Sequence, residues 1–209
     1  MTPHIIFDLG KVLIDWEPEL AFLHRFADRS AVRDWMARVG FAEWNAHQDA
    51  GRSFADALAE AQVRLGDDAA PLADYADRFP TTIARPIPGT WTIAEDLAAR
   101  RHRLFAITNW ARETWPAATR LYPRLTTLFD DIVVSGIERI AKPDPAIYRL
   151  LLDRNGLTAA DCLFIDDNPA NVAAARAMMM DAVQFTDAPA LIRDLQRRGI
   201  ACTPPAAPV

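Results

Sequence analysis

Four short fragments of the chain carry side chains that could do chemistry together. Asp8 ends the apolar run Ile5-Ile6-Phe7, and Thr108-Asn109 follows Ile107. Lys142 stands alone in Ala141-Lys142-Pro143-Asp144-Pro145, and Asp166-Asp167-Asn168 follows Phe164-Ile165. A carboxylate at a strand end can act as a covalent nucleophile, the route to an aspartyl phosphate. Two adjacent carboxylates repel one another unless a cation or a proton relieves them. Mg²⁺ takes oxygen donors, typically one or two carboxylates together with substrate phosphate. A hydroxyl beside backbone N–H groups at a helix start makes an anion site. An ammonium projecting from a proline-flanked loop can neutralise charge between carboxylates and a phosphoryl group. Each fragment alone also has a plainer reading: a turn aspartate, helix caps at Thr108-Asn109 and at Asp167 or Asn168, and an exposed lysine.

The lysine usage is uneven. Of 23 basic residues only Lys11 and Lys142 are lysines, and the rest are arginines. A compact ammonium is not interchangeable with a planar guanidinium. For Lys142 the surrounding motif points to function; for Lys11 chance is an equal explanation.

The elements that must position these residues follow from periodicity. Apolar runs predict strands at 4–8, 103–108, 131–135, 162–166 and 182–185, and runs of this kind suit a buried parallel sheet. Helices are predicted at 90–101, 111–120, 145–155, 169–180 and 188–198. This alternation implies a parallel sheet with helices on both faces. Ligands of such sheets sit beyond the carboxyl ends of the strands, where Asp8, Thr108 and Asp166 fall.

Residues 16–85 read differently. Leu20, Leu23, Phe26 and Ala27 recur at helical spacing, as do Val32, Trp35, Met36 and Val39, and again Phe54, Ala57, Leu58 and Ala61. No strand signal occurs there, and Ser53 is a candidate N-cap. The expected organisation is a core made of 1–15 and 86–198, a helical insertion at 16–85, and a disordered tail at 199–209. Arg85-Pro86-Ile87-Pro88-Gly89 is expected to be a rigid return linker.

Composition sets the boundaries. The 209 residues are 51% hydrophobic and 24% charged, with a net charge of -5, enough for a packed core and one insertion. No basic stripe exists to track a phosphate backbone, so no nucleic-acid partner is expected. No apolar run approaches the roughly 20 residues of a membrane span. Met1-Thr2-Pro3-His4 leads straight into a strand, without the pattern of a signal peptide. Cys162 and Cys202 lie in a strand pattern and a proline-rich tail, so no disulfide is expected, and the expected compartment is the reducing cytoplasm.

In their order and spacing, the fragments resemble the four motifs of the haloacid dehalogenase superfamily over essentially the whole chain. The first motif is Phe7-Asp8-Leu9-Gly10-Lys11-Val12-Leu13, the second Thr108-Asn109, the third Lys142, and the fourth Asp166-Asp167 with Asn171. The resemblance implies an α/β fold, a Rossmann-like doubly wound parallel sheet with an inserted helical cap of the C1 kind. It implies Asp8 as nucleophile, Lys142 as its catalytic partner, and Thr108 and Asn109 as substrate-binding residues. It implies Mg²⁺ held by Asp8, the backbone carbonyl of Gly10, and Asp167. Asp166 would stand behind the metal or ligate it occasionally, and Asn171 would orient the site. The implied activity is a Mg²⁺-dependent phosphatase acting on a small phosphorylated metabolite. The Asp8-Leu9-Gly10 pattern is similar to a branch that includes sugar-phosphate phosphatases.

One departure stands out. Phosphatases of this family usually carry a second aspartate, the acid for the leaving group, two residues after the nucleophile. Here that position is Gly10. Asp15 is a substitute candidate, although it also reads as an N-cap before Pro18. Trp44, Asn45, His47 and Asp49 form a polar-aromatic cluster that either faces the substrate or belongs to the packing and surface of the insertion. Two other functions stay open. A 2-haloacid dehalogenase would use the same aspartate without a metal, but the resemblance gives it neither the carboxylates at 166 and 167 nor a glycine at 10. A phospho-ligand-binding protein without turnover is supported by Gly10 alone.

Overall fold

The computed structural model describes residues 3–203. Among these residues seven strands run β1 (His4–Phe7), β2 (Ile14–Asp15), β3 (Arg85–Pro86), β4 (Leu104–Thr108), β5 (Asp131–Val134), β6 (Cys162–Asp166) and β7 (Asp181–Gln184). Five form one parallel sheet in the order β5-β4-β1-β6-β7. β1 is central, in register with β4 (Ile6 opposite Phe105) and with β6 (Ile6 opposite Phe164). The apolar runs are continuous because both faces are covered. Successive side chains point to opposite faces, so Ile5, Phe7, Ala106 and Ile165 enter one core, while Ile6, Phe105, Ile107 and Phe164 enter the other. This is the doubly wound α/β architecture expected from the alternation.

Among the helices, α1 (Arg29–Val39), α2 (Phe41–Asp49), α3 (Phe54–Leu65) and α4 (Tyr75–Thr82) lie between β2 and β3. Ser53 caps α3, its hydroxyl accepting from the Asp56 N–H at 3.1 Å. The aromatic side chains of this segment pack on one another: Phe22 stacks on Tyr75 at 5.7 Å, and Tyr75 meets Phe79 edge-on at 5.7 Å. Phe79 in turn meets Trp110, beyond β4, at 5.4 Å. α5 (Thr90–Ala99), α6 (Trp115–Leu121), α7 (Leu125–Leu128), α8 (Ser135–Glu138), α9 (Pro145–Asn155), α10 (Pro169–Ala177) and α11 (Ala188–Arg197) accompany the sheet.

Four details differ from expectation. The supposed linker is paired: Arg85–Pro86 lies antiparallel to Ile14–Asp15, joining the two ends of the helical segment. Proline fits there because an edge strand leaves its missing donor unneeded. α6 starts at Trp115, not 111, because Trp110–Thr114 forms a loop tied to α8. Asp15 caps nothing: it lies in β2, and the N-cap of the 3₁₀ turn at Pro18–Ala21 is Glu17. The tail is ordered as far as it is described. Ile200 and Cys202 are buried, and the Thr203 N–H donates to Asp96 at 2.9 Å. The rest of the expected tail, 204–209, lies outside the described residues. Cys162 and Cys202 are unbridged. Among the described residues, no helix is long and apolar enough to cross a membrane.

Candidate active site

Asp8 follows the last residue of β1, while Thr108 and Asp166 are the last residues of β4 and β6. Because β1 pairs with both neighbours, these three residues meet at one rim of the sheet. The Asp8 N–H donates to the Ile165 carbonyl at 2.8 Å, which fixes the turn that carries the carboxylate.

Lys142 reaches into this rim from the loop before α9, and its side chain is only 1% exposed. Its ammonium meets three oxygens: Asp8 Oδ1 at 2.9 Å, Asp166 Oδ2 at 2.7 Å and the Ile107 carbonyl at 2.8 Å. Two of its N–H donors form hydrogen bonds, to Asp166 and to the Ile107 carbonyl, and Asp8 completes the set as an ion pair. Asn109 fixes the base of this lysine. Its Oδ1 accepts from the Lys142 N–H at 2.8 Å, and its Nδ2 donates to the Lys142 carbonyl at 3.0 Å. The Asn109 side-chain oxygen and one of its N–H donors are thus used by the lysine backbone, while the residue also lines the cavity described below.

Asp166 is fully buried and saturated with donors. Asn171 Nδ2 lies 3.1 Å from both its oxygens, and the Asn168 N–H donates to Oδ1 at 2.8 Å. Asn168 caps α10, accepting from the Ala170 N–H at 2.9 Å. Asp8 is used on one side only. Oδ1 accepts from the Leu9 N–H at 2.7 Å and faces Lys142, while Oδ2 accepts no hydrogen bond among the described residues. The Thr108 hydroxyl is buried without a partner. A buried, unpaired donor costs roughly 1–3 kcal/mol, so it is a group waiting for an acceptor.

Carboxylate oxygens of Asp8, Asp166 and Asp167 lie within 4.8 Å of one another. With all three carboxyls ionised, one ammonium leaves two negative charges uncompensated, and the carboxyls resist that state. Burial pushes the Asp8 carboxyl up to about 7, opposed by Lys142 and reinforced by Asp166 and Asp167. Burial, with Asp166 beside it, also moves Asp167 up. Burial works against the charge of Lys142, but the two carboxylates prevail and raise it.

A cavity opens beside this rim, lined by Gly10, Trp16, Tyr75, Phe79, Trp110 and Asp49, with Asn45, Asn109, Ala111 and Thr114 completing it. The Trp110 indole N–H is buried there without a partner. Of the predicted cluster, Asn45 and Asp49 reach this cavity. Trp44 packs inside the helical segment, its indole donating to the Ala57 carbonyl at 3.3 Å, and His47 is exposed at a separate hollow with Arg52 and Glu60. Asp15 is paired with Lys11 at 2.9 Å and Arg85 at 3.4 Å, away from the cavity. Trp16, Tyr75, Phe79 and Trp110 were not foreseen as cavity walls. The one local signal for them is the i,i+4 spacing of Tyr75 and Phe79, which puts both on one helix face without saying what that face meets.

Relatives and solved structures agree with this architecture. The phosphoglycolate phosphatase of Rhodospirillum rubrum is 32% identical over 190 residues, covering 85% of this chain and 76% of that protein. The sesquiterpene phosphatase astK of Aspergillus oryzae is 24% identical over 194 residues, or 92% of this chain and 94% of that protein. A Bacteroides thetaiotaomicron HAD family enzyme, solved in complex with magnesium and inorganic phosphate, superposes with a TM-score of 0.65 at 17% identity, covering 90% of this chain and 96% of that one. The L-2-haloacid dehalogenase of Xanthobacter autotrophicus superposes with a TM-score of 0.67 at 23% identity, covering 96% and 85%. The model of the haloacid dehalogenase-like hydrolases matches residues 2–178, and the chain belongs to that hydrolase family.

Proposed function

We propose that this hydrolase is a Mg²⁺-dependent phosphatase that cleaves a small phosphate monoester through an aspartyl phosphate on Asp8. The observation that carries the reading is the charge at the rim: three clustered carboxylates against one ammonium, with Asp8 Oδ2 free. An excess of two negative charges among hard oxygen donors suits a divalent cation such as Mg²⁺. Asp8, Asp167 and the Gly10 carbonyl are the groups that would hold it. Asp166 already meets Lys142, Asn171 and Asn168, and among the described residues no N–H donates to the Gly10 carbonyl. When bound, the ion supplies positive charge against the phosphoryl oxygens. The magnesium and phosphate found in the Bacteroides enzyme support the same reading.

In this reaction Asp8 Oδ2 attacks phosphorus while Lys142 holds Oδ1 in place. Lys142 acts on the phosphoryl group through charge. The Thr108 hydroxyl donates to a phosphoryl oxygen. Asn109 is a positioning residue for Lys142. Water then cleaves the aspartyl phosphate.

The cavity describes the rest of the substrate. Four of its ten lining residues are aromatic and four more, Asn45, Asp49, Asn109 and Thr114, are polar, while among the described residues no lysine, arginine or histidine lines it. An uncharged organic group fits these walls better than a second anion. The sesquiterpene phosphatase among the relatives fits the aromatic part of these walls, and Asn45, Asn109 and Thr114 suit the sugar phosphate implied by the Asp8-Leu9-Gly10 resemblance.

Phosphate release from a panel of monoesters, with Mg²⁺ and in excess chelator, tests the reading. Release is expected to need the metal, to be abolished in a folded Asp8→Asn variant, and to favour benzyl phosphate over phosphoglycolate. Full activity in chelator, or halide release from a 2-haloacid, would replace the phosphatase by the dehalogenase reading. Binding of phosphate without turnover of any ester would leave a binding protein.

A further inference from the structure

The proposed phosphatase lacks an acid where its family usually has one, because Gly10 has no side chain. Expulsion of an alkoxide needs a proton, and the structure narrows its source. Asp15 is tied to Lys11 and Arg85, and His47 opens on another hollow. Two titratable side chains line the cavity that Gly10 shares, Tyr75 and Asp49. Burial drives the Tyr75 phenol further above its already high range, and its oxygen accepts from the Trp16 indole at 3.3 Å. That leaves Asp49.

Asp49 is the last residue of α2, and its position is fixed from both sides. Its backbone carbonyl accepts from the Ser135 hydroxyl, whose oxygen accepts in turn from the Trp110 N–H at 2.9 Å. The Gly136 N–H donates to the Trp110 carbonyl at 3.0 Å. A Cβ at Gly136 would lie 2.6 Å from that carbonyl oxygen, so only glycine allows α8 to approach the loop this closely. Ser135 and Gly136 thus join α2 to the loop that follows Asn109. On the side chain, Asn45 Nδ2 donates to Asp49 Oδ2 at 2.9 Å. Among the described residues no acceptor is seated on the Asp49 carboxyl, so a proton on it has only the cavity to face.

We propose that Asp49 is the proton donor to the leaving group, acting across the cavity as Asp8 attacks phosphorus. The inference rests on the phosphatase reading. In the first step the bond from Asp8 Oδ2 to phosphorus forms and the ester P–O bond breaks. The electron pair of that bond goes to the leaving oxygen, which takes the Asp49 proton. In the second step water attacks phosphorus, the bond to Asp8 breaks, and the Asp49 carboxylate takes the proton that the water loses. Both carboxyl groups return to their starting states.

The electrostatics agree with the geometry. Burial pushes the Asp49 carboxyl up to about 7, with the Asp8 charge adding to the rise and the nearby Ala111 N–H opposing it. The groups that face it are Asp8 beyond β1, Tyr75 on α4 and the Ala111 N–H in the loop. A donor of this acidity is matched to a reaction near neutral pH.

The test compares benzyl phosphate, whose leaving group needs a proton, with 4-nitrophenyl phosphate, whose leaving group does not. Single-turnover rates of alcohol or phenol release, which report the first step alone, are followed with Mg²⁺ across pH in the wild type and in Asp49→Asn and Asn45→Ala. Asp49→Asn is expected to lose about 10²–10⁴-fold on the benzyl ester, and less than about 10-fold on the nitrophenyl ester, where little proton donation is required. In the wild type the benzyl rate should fall on the alkaline side, and Asp49→Asn should remove that limb. Asn45→Ala removes an N–H that favours the carboxylate, so it should move the limb to higher pH even if Asp49→Asn does not fold. Equal losses on both esters, or a limb unmoved in the folded variants, would overturn the assignment of Asp49 alone. A wild-type protein inactive on every ester would overturn the phosphatase reading and this inference with it.

Discussion

Asn109 and Lys142 grip each other through two reciprocal hydrogen bonds, side-chain amide to backbone, of 2.8 and 3.0 Å. The side chain of a residue beyond β4 thereby sets where the loop before α9 presents its ammonium. Asn109→Ala should free that loop and leave the Lys142 N–H unpaired, at a cost of about 1–3 kcal/mol in stability. In kinetics it should lower kcat more than it raises KM, because the damage is to the placement of a charge. A parent-like kcat would show that Lys142 holds its place without the clamp.

Thr108 allows stability and function to be separated. Its hydroxyl is buried and unpaired, with only 1% of the residue exposed. Thr108→Val keeps the shape and removes the unpaired group. The free protein should melt at the same temperature or higher, by an amount on the order of 1 kcal/mol. The KM for a phosphate ester, and the Kd for inorganic phosphate, should rise. Tighter or unchanged phosphate binding would mean that the hydroxyl points away from the anion.

Lys142→Arg tests why lysine is used here in a chain that otherwise prefers arginine. The ammonium fits among three oxygens at 2.7 to 2.9 Å, and its side chain is buried. A planar guanidinium is larger and arranges its donors as a fork, so it should overpack this space. The expected loss of transition-state stabilisation is about 2–4 kcal/mol, comparable with removing one preorganised electrostatic contact. Kinetics equal to the parent would return Lys142 to the status of a structural cation.

The sheet and its rim were legible because local patterns encode them. Apolar runs bounded by turns gave the five strands, and Asp8, Thr108 and Asp166 fall at their ends wherever the strands pair. What was not legible depends on docking between distant segments. The Phe79–Trp110 contact that builds the cavity wall joins residues with no shared periodicity. Asp15 has local partners, but Arg85 comes from the other end of the helical segment. The cluster at 44–49 was recognised but not resolved, although helix geometry divides it. Asn45 and Asp49 stand four residues apart and share the face that meets the cavity, while His47 points elsewhere.

Gly10 offers the most direct link between the missing acid and the cap. A Cβ there meets nothing within 4 Å, and its backbone does not need the left-handed conformation reserved for glycine. An aspartate should therefore be accommodated, and the carbonyl proposed for the metal is retained. If Asp49 already supplies the proton, Gly10→Asp should change the wild-type rate on benzyl phosphate only slightly. In the Asp49→Asn background the same substitution should restore a large part of the roughly 10²–10⁴-fold that general acid catalysis contributes. On 4-nitrophenyl phosphate it should do little in either background. Melting curves of all four proteins separate folding defects from chemistry. Restoration would show that residues 10 and 49 serve one leaving oxygen from two segments of the chain. A large gain in the wild-type background would show instead that the protein lacks an effective acid.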